Sequence, residues 1–529
     1  MNRKTLVLPA VAGLLVPLLA ACGGAESEET IVVGTTERFI AATDGPAPLD
    51  PASAYDTGAW NILRQTVQTL LHVPRSGGEP VPEAARSCGF SDKASESYRC
   101  VLRPGLTFAD GTPLTAEDVK FSVDRVLSIR SDNGTAALLS NIDTVETRGA
   151  DQVVFHLKTP DATFPYKLST PVAGILSKKK YAADKLRPGL VVDGSGPYTM
   201  TADHEGGKVG RFVFTRNPAY QGDITPRNDK VELRLFADAA AMGEALADDD
   251  IDMMAGALSR QQVKDLTERP EDGVELVEVP GLEIRYLGFD TRAPSVQEKA
   301  VRQAMAAVVD RGALVDAVYG PTAEPLYSLI PSSITGHTTP FFDEYGEPDA
   351  TRAARLLKDA GVTTPVKLTL NYTTDRYGPE TAQEFEVLKK QLVADGLFDV
   401  TVEGTPWSSF RPAQKRGDYA VYGLGWFPDY PDPDNYIAPF LDSDNFLHSP
   451  YENKVVRDQL IPLSRRQADR TAAGPVYARI QKIVAEDVPV LPLWQGKQYV
   501  AARDDLNGVE YALTASSDLL LWELGHGTA

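Results

Sequence analysis

Strand-like and helix-like patterns alternate along the second half of this 529-residue chain. Residues 351–360 have helical periodicity, 365–372 alternate as a strand, and a helix over 384–392 precedes strands at 400–402 and 419–424. This alternation predicts an α/β architecture rather than an all-β one. Because a single hydrophobic core stops growing near about 250–300 residues, the length also predicts more than one domain.

The N-terminus carries the pattern of an export signal. Two basic residues precede an apolar run that is too short and too interrupted by prolines to span about 30 Å of hydrocarbon, which predicts a signal peptide over residues 1–21. Its end, Leu19-Ala20-Ala21-Cys22, resembles the bacterial lipobox, in which cleavage before the cysteine accompanies attachment of a diacylglycerol to its sulfur. Cys22 is therefore the expected lipidation site, and residues 22–30 the anchor and polar tether. The alternative is a chance cysteine behind an ordinary signal peptide.

The other two cysteines agree with an oxidising, extracytoplasmic compartment. Cys88 and Cys100 lie symmetrically about a polar turn, within the flanking segments 86–90 and 98–102. If these segments form a hairpin, the two sulfurs face each other at a distance that a disulfide spans. No Cys-x-x-Cys spacing occurs, so we expect a structural Cys88–Cys100 disulfide rather than a redox site.

Charge and motif content exclude several function classes. The chain has 53 Lys and Arg against 73 Asp and Glu, and this acidic balance argues against a nucleic-acid partner. There is no Gly-x-Ser-x-Gly elbow and no phosphate-binding loop. The histidines are scattered, with none at the i, i+4 spacing of a helical metal site: His72, His156, His204, His337, His448 and His526. We therefore predict a protein that is not an enzyme and has no metal and no cofactor.

An aromatic and acidic segment over residues 426–436 is the strongest candidate for a ligand site. It contains Trp426, Phe427, Asp429, Tyr430, Asp432, Asp434 and Tyr436, together with three prolines. In open α/β sheets ligands bind beyond the carboxyl ends of the strands, and both Arg376 and Asp429 follow a predicted strand. Aromatic rings with a carboxylate suit an amine, and an arginine fork suits a carboxylate, so the two together would hold a zwitterion. The alternative is a surface loop whose rings cover a neighbouring element.

At this point the chain resembles family 5 of the bacterial solute-binding proteins, the peptide and nickel class that serves ABC importers. The resemblance runs from about Ile31 to the C-terminus, and its most specific stretch is Phe108–Ser122. Supporting matches are Leu49-Asp50-Pro51, Gly194-Ser195-Gly196-Pro197-Tyr198, Asn217-Pro218-Ala219-Tyr220, Ile251-Asp252-Met253, Val301-Arg302-Gln303-Ala304 with Asp310-Arg311, and Gly425-Trp426 through Asp429-Tyr430-Pro431-Asp432-Pro433.

The resemblance implies a two-lobe α/β fold of the type II periplasmic-binding-protein kind, with an extra inserted domain. Carried onto this sequence, lobe I comprises residues 31–67, 190–281 and 500–529, the inserted domain 68–189, and lobe II 282–499. The hinges are then expected near Pro280-Gly281 and Tyr499-Val500. In this fold the ligand is engulfed when the lobes close.

The resemblance also implies roles for individual residues. Asp429 matches the aspartate that pairs with the α-amino group in peptide-binding members, and Arg376 matches the arginine that takes the terminal carboxylate in dipeptide-binding members. Trp426, Tyr430 and Tyr377 complete the expected ligand-binding set. The binders of tri- to pentapeptides can carry His in place of Tyr377 and Arg in place of Gly423, so both departures favour short peptides.

The function implied is capture of short peptides and their delivery to an ABC permease and ATPase complex. We expect a monomer on the outer face of the cell membrane, which contacts the membrane only through its lipid anchor. Two alternatives remain open: a lipoprotein that passes a peptide signal to a sensor, and a binder of a non-peptide solute such as a nickel complex.

Overall fold

The computed structural model describes residues 30–36, 47–75, 77–131, 135–205, 208–256, 258–271, 273–443, 445 and 447–527. The predicted signal peptide, Cys22 and almost all of the predicted tether lie outside these ranges. Within them, no helix combines the length and the apolar character that crossing a bilayer requires.

The β-strands are β1 (Ile31–Thr35), β2 (Leu71–His72), β3 (Val81–Pro82), β4 (Ala85–Phe90), β5 (Ser97–Leu102), β6 (Ile142–Arg148), β7 (Gln152–Leu157), β8 (Tyr198–Glu205), β9 (Lys208–Arg216), β10 (Lys230–Leu235), β11 (Met253–Ala255), β12 (Val274–Phe289), β13 (Ala323–Pro325), β14 (Val366–Thr373), β15 (Phe398–Thr405), β16 (Val421–Trp426), β17 (Val490–Arg503), β18 (Leu506–Asn507) and β19 (Gly525–His526).

The α-helices are α1 (Thr57–Thr66), α2 (Ala116–Ile129), α3 (Ala136–Leu139), α4 (Phe164–Lys167), α5 (Ala239–Ala247), α6 (Arg260–Glu268), α7 (Lys299–Val308), α8 (Arg311–Val318), α9 (Pro340–Tyr345), α10 (Ala350–Asp359), α11 (Thr381–Val393), α12 (Trp407–Arg416), α13 (Ala438–Leu441), α14 (Ile461–Arg465), α15 (Gly474–Asp487) and α16 (Val509–Ala512). Helices and strands therefore alternate, as the sequence pattern predicted.

One large sheet runs through the whole molecule in the order β15-β14-β16-β12-β17-β11-β1-β10-β9-β8, with β13 added on β17. The long strands β12 and β17 pair antiparallel from Val274 opposite Arg503 to Gly288 opposite Val490, and their register shifts between Pro280 and Ile284. On one side of this pair lie β11, β1 and β10, and on the other lie β16, β14 and β15. The β12–β17 pair therefore joins the two halves of the sheet.

The buried apolar side chains form two main cores, one in each half. One core is built from residues between Leu282 and Trp494. The other is built from residues between Ile31 and Val279 together with residues from Val500 to Leu524. Two separate cores joined by a pair of long strands constitute a two-lobe α/β fold, and the chain passes from one core to the other within the register shift of β12.

A four-stranded sheet in the order β4-β5-β7-β6 lies within the segment predicted as the inserted domain. Cys88 and Cys100 are direct partners across β4 and β5, and their sulfurs are bonded at 1.98 Å. The predicted hairpin and the predicted disulfide are thus both present.

A buried ion pair ties the segment predicted as the inserted domain to the N-terminal segment predicted as part of lobe I. Arg125, on α2, donates from Nη1 and Nη2 to the two carboxylate oxygens of Asp50 at 2.7 and 2.6 Å, and neither side chain is exposed. Helix α2 starts at a capping box, in which the backbone N–H of Thr115 donates to Asp118 Oδ2 at 3.0 Å. The most specific stretch of the family resemblance therefore builds the scaffold.

The parallel strands of lobe II determine where its loops lie. β14 pairs parallel with β15 and, through Leu370 and Asn371, with β16. Because the carboxyl ends of parallel strands meet at one edge of a sheet, the segments that follow β14 and β16 emerge side by side. These segments contain Arg376 and Asp429.

Candidate functional site

Asp429 lies where the two lobes meet, and groups from both lobes hold its carboxylate. Tyr55, in lobe I, donates its hydroxyl to Asp429 Oδ1 at 2.8 Å. Asn435, in lobe II, donates from Nδ2 to Asp429 Oδ2 at 3.1 Å and accepts the backbone N–H of Asp429 at 2.9 Å. Both side-chain donors are uncharged, so the carboxylate is oriented without being neutralised.

The electrostatic surroundings of Asp429 suit a cationic ligand group. Burial raises the pKa of the Asp429 carboxyl above its ordinary value, against the lowering effect of the hydrogen bonds from Asn435 and Tyr55. Lys167 lowers that pKa only at longer range, because its ion pair is with Asp161 at 2.6 Å. None of the ion pairs formed by the described residues includes Asp429. A ligand ammonium would supply the missing partner.

Arg376 follows β14 at the same edge of the lobe II sheet and is exposed. Its guanidinium carbon lies 4.3 Å from the ring centroid of Trp407 and 5.8 Å from that of Tyr377. The charge of Arg376 also reaches lobe I, where it opposes the rise that burial causes in the pKa of Asp56. Asp56 caps α1 and directly follows Tyr55. Residues 55–56 of lobe I therefore lie beside both predicted ligand residues.

The predicted aromatic residues take different positions. Trp426 is the last residue of β16, is buried, and donates its indole N–H to Asn435 Oδ1 at 3.2 Å. Tyr430 is buried against the inserted domain and stacks on Tyr166 with ring centroids 5.8 Å apart. Trp426 thus positions the asparagine that holds Asp429, and Tyr430 forms part of the contact between lobe II and the segment predicted as the inserted domain.

Further contacts join the inserted domain to lobe II next to Tyr430. The backbone N–H of Ala162 donates to the carbonyl of Arg465 at 2.8 Å. Arg465 forms ion pairs with Asp434 at 3.3 Å and Asp442 at 2.9 Å. Residues 162–166 therefore contact lobe II beside the segment that carries Asp429.

Three residues near the cleft were missed by sequence reasoning. Tyr55 belongs to no recognisable motif, and Asn435 is a neutral residue within the aromatic and acidic segment. Arg285 is the one basic residue of β12, which also carries three glutamates, and its guanidinium carbon lies 4.0 Å from the ring centroid of Tyr377. The pairing of β12 with β16 in the folded protein brings Arg285 next to the site.

The packing around Gly423 leaves no room for a side chain at this position. A Cβ atom on Gly423 would collide with the ring of Phe385, which packs over β16 from α11. Phe385 is itself buried and stacks on Tyr372 with ring centroids 4.9 Å apart. A larger residue at 423 is therefore excluded as long as Phe385 occupies this position.

Within the described ranges, no three His, Cys, Asp or Glu side chains lie together in a way that could hold a metal ion.

Comparison with known proteins decides the family. Residues 79–447 match the family described as bacterial extracellular solute-binding proteins, family 5, middle part. The chain belongs to this family. The probable D,D-dipeptide-binding periplasmic protein of Escherichia coli (strain K12) is 27% identical to this family 5 protein over 475 residues, which cover 88% of this chain and 89% of the relative. The periplasmic murein peptide-binding protein of the same organism is 24% identical over 513 residues, covering 91% and 92%.

Solved structures share the two-lobe fold. The open, unliganded form of the murein tripeptide binding protein superposes with a TM-score of 0.75 at 21% identity, covering 94% of this chain and 98% of that one. A periplasmic binding protein from Helicobacter pylori in complex with the peptide STSA gives a TM-score of 0.76 at 22% identity, with coverage of 94% and 98%. The type II, two-lobe α/β fold expected from the sequence resemblance is confirmed.

Proposed function

We propose that this family 5 protein is a lipid-anchored binder of short peptides that delivers them to an ABC importer. The observation that carries the proposal is the Asp429 carboxylate, which sits between the lobes, is held there by the uncharged donors Tyr55 and Asn435, and has its pKa raised by burial. The names of several relatives, which refer to dipeptides, di/tripeptides or murein peptides, support a peptide as the ligand.

A peptide would bind through its two ends. Its α-ammonium pairs with Asp429 and provides the positive charge that the desolvated carboxylate lacks. Its terminal carboxylate binds the planar fork of Arg376, which stacking on Trp407 keeps oriented. Since both residues follow neighbouring strands of lobe II, the peptide lies along the edge of that sheet.

Closure follows from the contribution of lobe I. Tyr55 reaches Asp429 only when the lobes are together, so a ligand bound to Asp429 gains contacts in the closed form that it lacks in the open one. A ligand shifts a conformational equilibrium by its differential affinity for the two states. The closed, peptide-loaded protein is the form that we expect the permease and ATPase complex to recognise.

Short peptides are favoured over long ones. Gly423 and Phe385 leave no room on β16 for the arginine that longer-peptide binders can carry there. Binding by the two ends leaves the peptide side chains to hydrated space, where water bridges different groups. We expect a narrow preference for length and a broad tolerance for side chains.

The proposal also covers membrane attachment, oligomeric state and catalysis. Cleavage after Ala21 and lipidation of Cys22 would keep the protein at the outer face of the membrane, attached only by its lipid, as a monomer. Its relatives are named as binding proteins, and we propose that this chain likewise binds its peptide without transforming it.

Isothermal titration of the ligand-stripped protein from Gly23 onward tests the proposal. The ligands are a dipeptide, a tetrapeptide, and the N-acetylated and C-amidated forms of each. We expect the free dipeptide to bind and both blocked forms to fail. Equal binding of the amide and the free acid would remove Arg376 from its role, and no binding of any peptide would refute the function.

A further inference from the structure

Arg285 lies between the two loops that carry the predicted ligand residues. We name these the carboxylate loop (residues 374–380, which includes Arg376) and the amine loop (residues 427–432, which includes Asp429). The guanidinium carbon of Arg285 is 4.0 Å from the ring centroid of Tyr377 in the first loop and 5.4 Å from that of Phe427 in the second. One side chain therefore contacts an aromatic ring from each loop.

The position of Arg285 is closely fixed. Its side chain is 8% exposed and forms an ion pair with Glu283 on the same strand. Its guanidinium carbon lies 5.2 Å from the ring centroid of Trp494. Gly425 is its direct partner on β16, and a Cβ atom there would collide with the guanidinium. The guanidinium of Arg285 therefore fits against β16 only because residue 425 is a glycine.

The surroundings explain why this residue is an arginine. A guanidinium is planar, delocalised and weakly hydrated, so it can stack on rings and pair with a carboxylate at the same time. Nearby, Glu384 accepts hydrogen bonds from the Tyr319 hydroxyl at 2.7 Å and the Trp494 indole at 3.2 Å. The carboxylate that forms an ion pair with Arg285 is Glu283.

We propose that Arg285 is a positioning residue that sets the separation between the carboxylate loop and the amine loop, and thereby the length of peptide that binds. The inference rests on the proposed function, in which Arg376 and Asp429 hold the two ends of the ligand. Each added residue lengthens an extended peptide by roughly 3.3 Å. A fixed separation between the two loops therefore admits one peptide length and discriminates against the others.

The test compares Arg285→Lys with the wild-type protein by titration with dialanine, trialanine and tetra-alanine. Lysine keeps the charge but, as a compact and strongly hydrated ammonium, cannot stack on two rings at once. We expect the ratio of tetra-alanine to dialanine dissociation constants to fall roughly tenfold, equivalent to about 1.4 kcal/mol. Dialanine should account for most of this change.

A matched control is Arg311→Lys. Arg311 is also a buried lobe II arginine stacked on two rings, at 5.0 Å from the centroid of Tyr327 and 5.5 Å from that of Phe341, and it donates to the carbonyl of Pro492. It touches neither of the two loops. Its replacement should lower the melting temperature while leaving the ratio of dissociation constants unchanged.

A second variant keeps the test decisive if Arg285→Lys fails to fold. Phe427 is 41% exposed, so Phe427→Leu removes one ring contact without disturbing the core, and the ratio should fall in the same direction. Equal weakening for all three peptides, or an unchanged ratio in a folded variant, would overturn the inference and leave the proposed function standing. Failure of the wild-type protein to bind any of the peptides would refute the proposed function itself, and this inference with it.

Discussion

Asp429→Ala removes a carboxylate that groups from both lobes hold at the cleft. In the proposed complex the peptide ammonium would then be buried without a partner, and breaking a buried ion pair in this way costs about 3–5 kcal/mol. At about 1.4 kcal/mol per tenfold change, the dissociation constant should rise by roughly two to three and a half orders of magnitude. The substitution also removes the hydrogen bonds from Tyr55 and Asn435, but it breaks no ion pair with the described residues, so the variant should still fold.

The assay is calorimetric titration at neutral pH with free and N-acetylated dialanine, on the wild-type protein and on Asp429→Ala. If Asp429 pairs with the ammonium, acetylation and substitution remove the same interaction, so the second change has little effect once the first is made. Thermal melting of the unliganded variant serves as the folding control.

Two results would contradict the reasoning. One is wild-type-like binding of dialanine by the variant, which would place the ammonium elsewhere. The other is strict additivity of acetylation and substitution, which would show that Asp429 acts on the ligand without contacting its amine. A loss confined to a variant that no longer melts cooperatively would instead assign Asp429 to the fold.

Three further predictions concern the same framework. Peptide affinity should be at its full value above the raised pKa of Asp429 and should decline as the pH falls through that pKa. The decline should therefore begin above the ordinary pKa of an aspartate, about 3.9. Calorimetric titration at a series of pH values measures this, and a decline found only below that ordinary pKa would contradict it. Tyr55→Phe removes a hydrogen bond to a charged group, worth about 1.5–3 kcal/mol, so the dissociation constant should rise roughly ten- to a hundredfold without a matching loss of stability. Arg125→Met leaves Asp50 buried without its ion-pair partner and should lower the free energy of unfolding, measured in urea, by about 3–5 kcal/mol. Arg64→Met breaks the partly exposed ion pair with Asp518 and should lower that free energy by far less. Equal effects of the two substitutions would contradict the argument from burial.

Local patterns predicted those parts of the fold that local physics determines. The helix over 384–392 lies within α11, and the strand over 365–372 overlaps β14. The hairpin and the Cys88–Cys100 disulfide depend only on a turn and two flanking segments. The length of β12 was not predictable in this way, because its sixteen residues cross from one core to the other and their burial follows neither lobe alone.

The candidate site was predicted only in part, for a reason that Trp426 and Arg285 illustrate. Trp426 is predicted to bind the ligand because it starts an aromatic segment; its place at the end of β16 and its hydrogen bond to Asn435 are not readable from that pattern. Arg285 lies in a strand that also carries three glutamates, and no motif in the sequence distinguishes it from them. Its ring contacts come from residues some 90 to 210 positions away in sequence, Tyr377, Phe427 and Trp494, so no window of the chain contains the pattern.

In the proposed mechanism, the position of one carboxylate couples binding to closure. Closing the lobes without a ligand would leave Asp429 in a partly desolvated place where the uncharged donors Tyr55 and Asn435 hold it. Burying an unpaired charge is unfavourable, so this term opposes closure. When an ammonium is bound, the electrostatic contribution of Asp429 favours closure instead, because the same low-dielectric surroundings then strengthen the ion pair. We therefore expect the charge that the ligand places at Asp429 to determine which lobe arrangement is stable, and a ligand without an amine to bind lobe II without closing the protein.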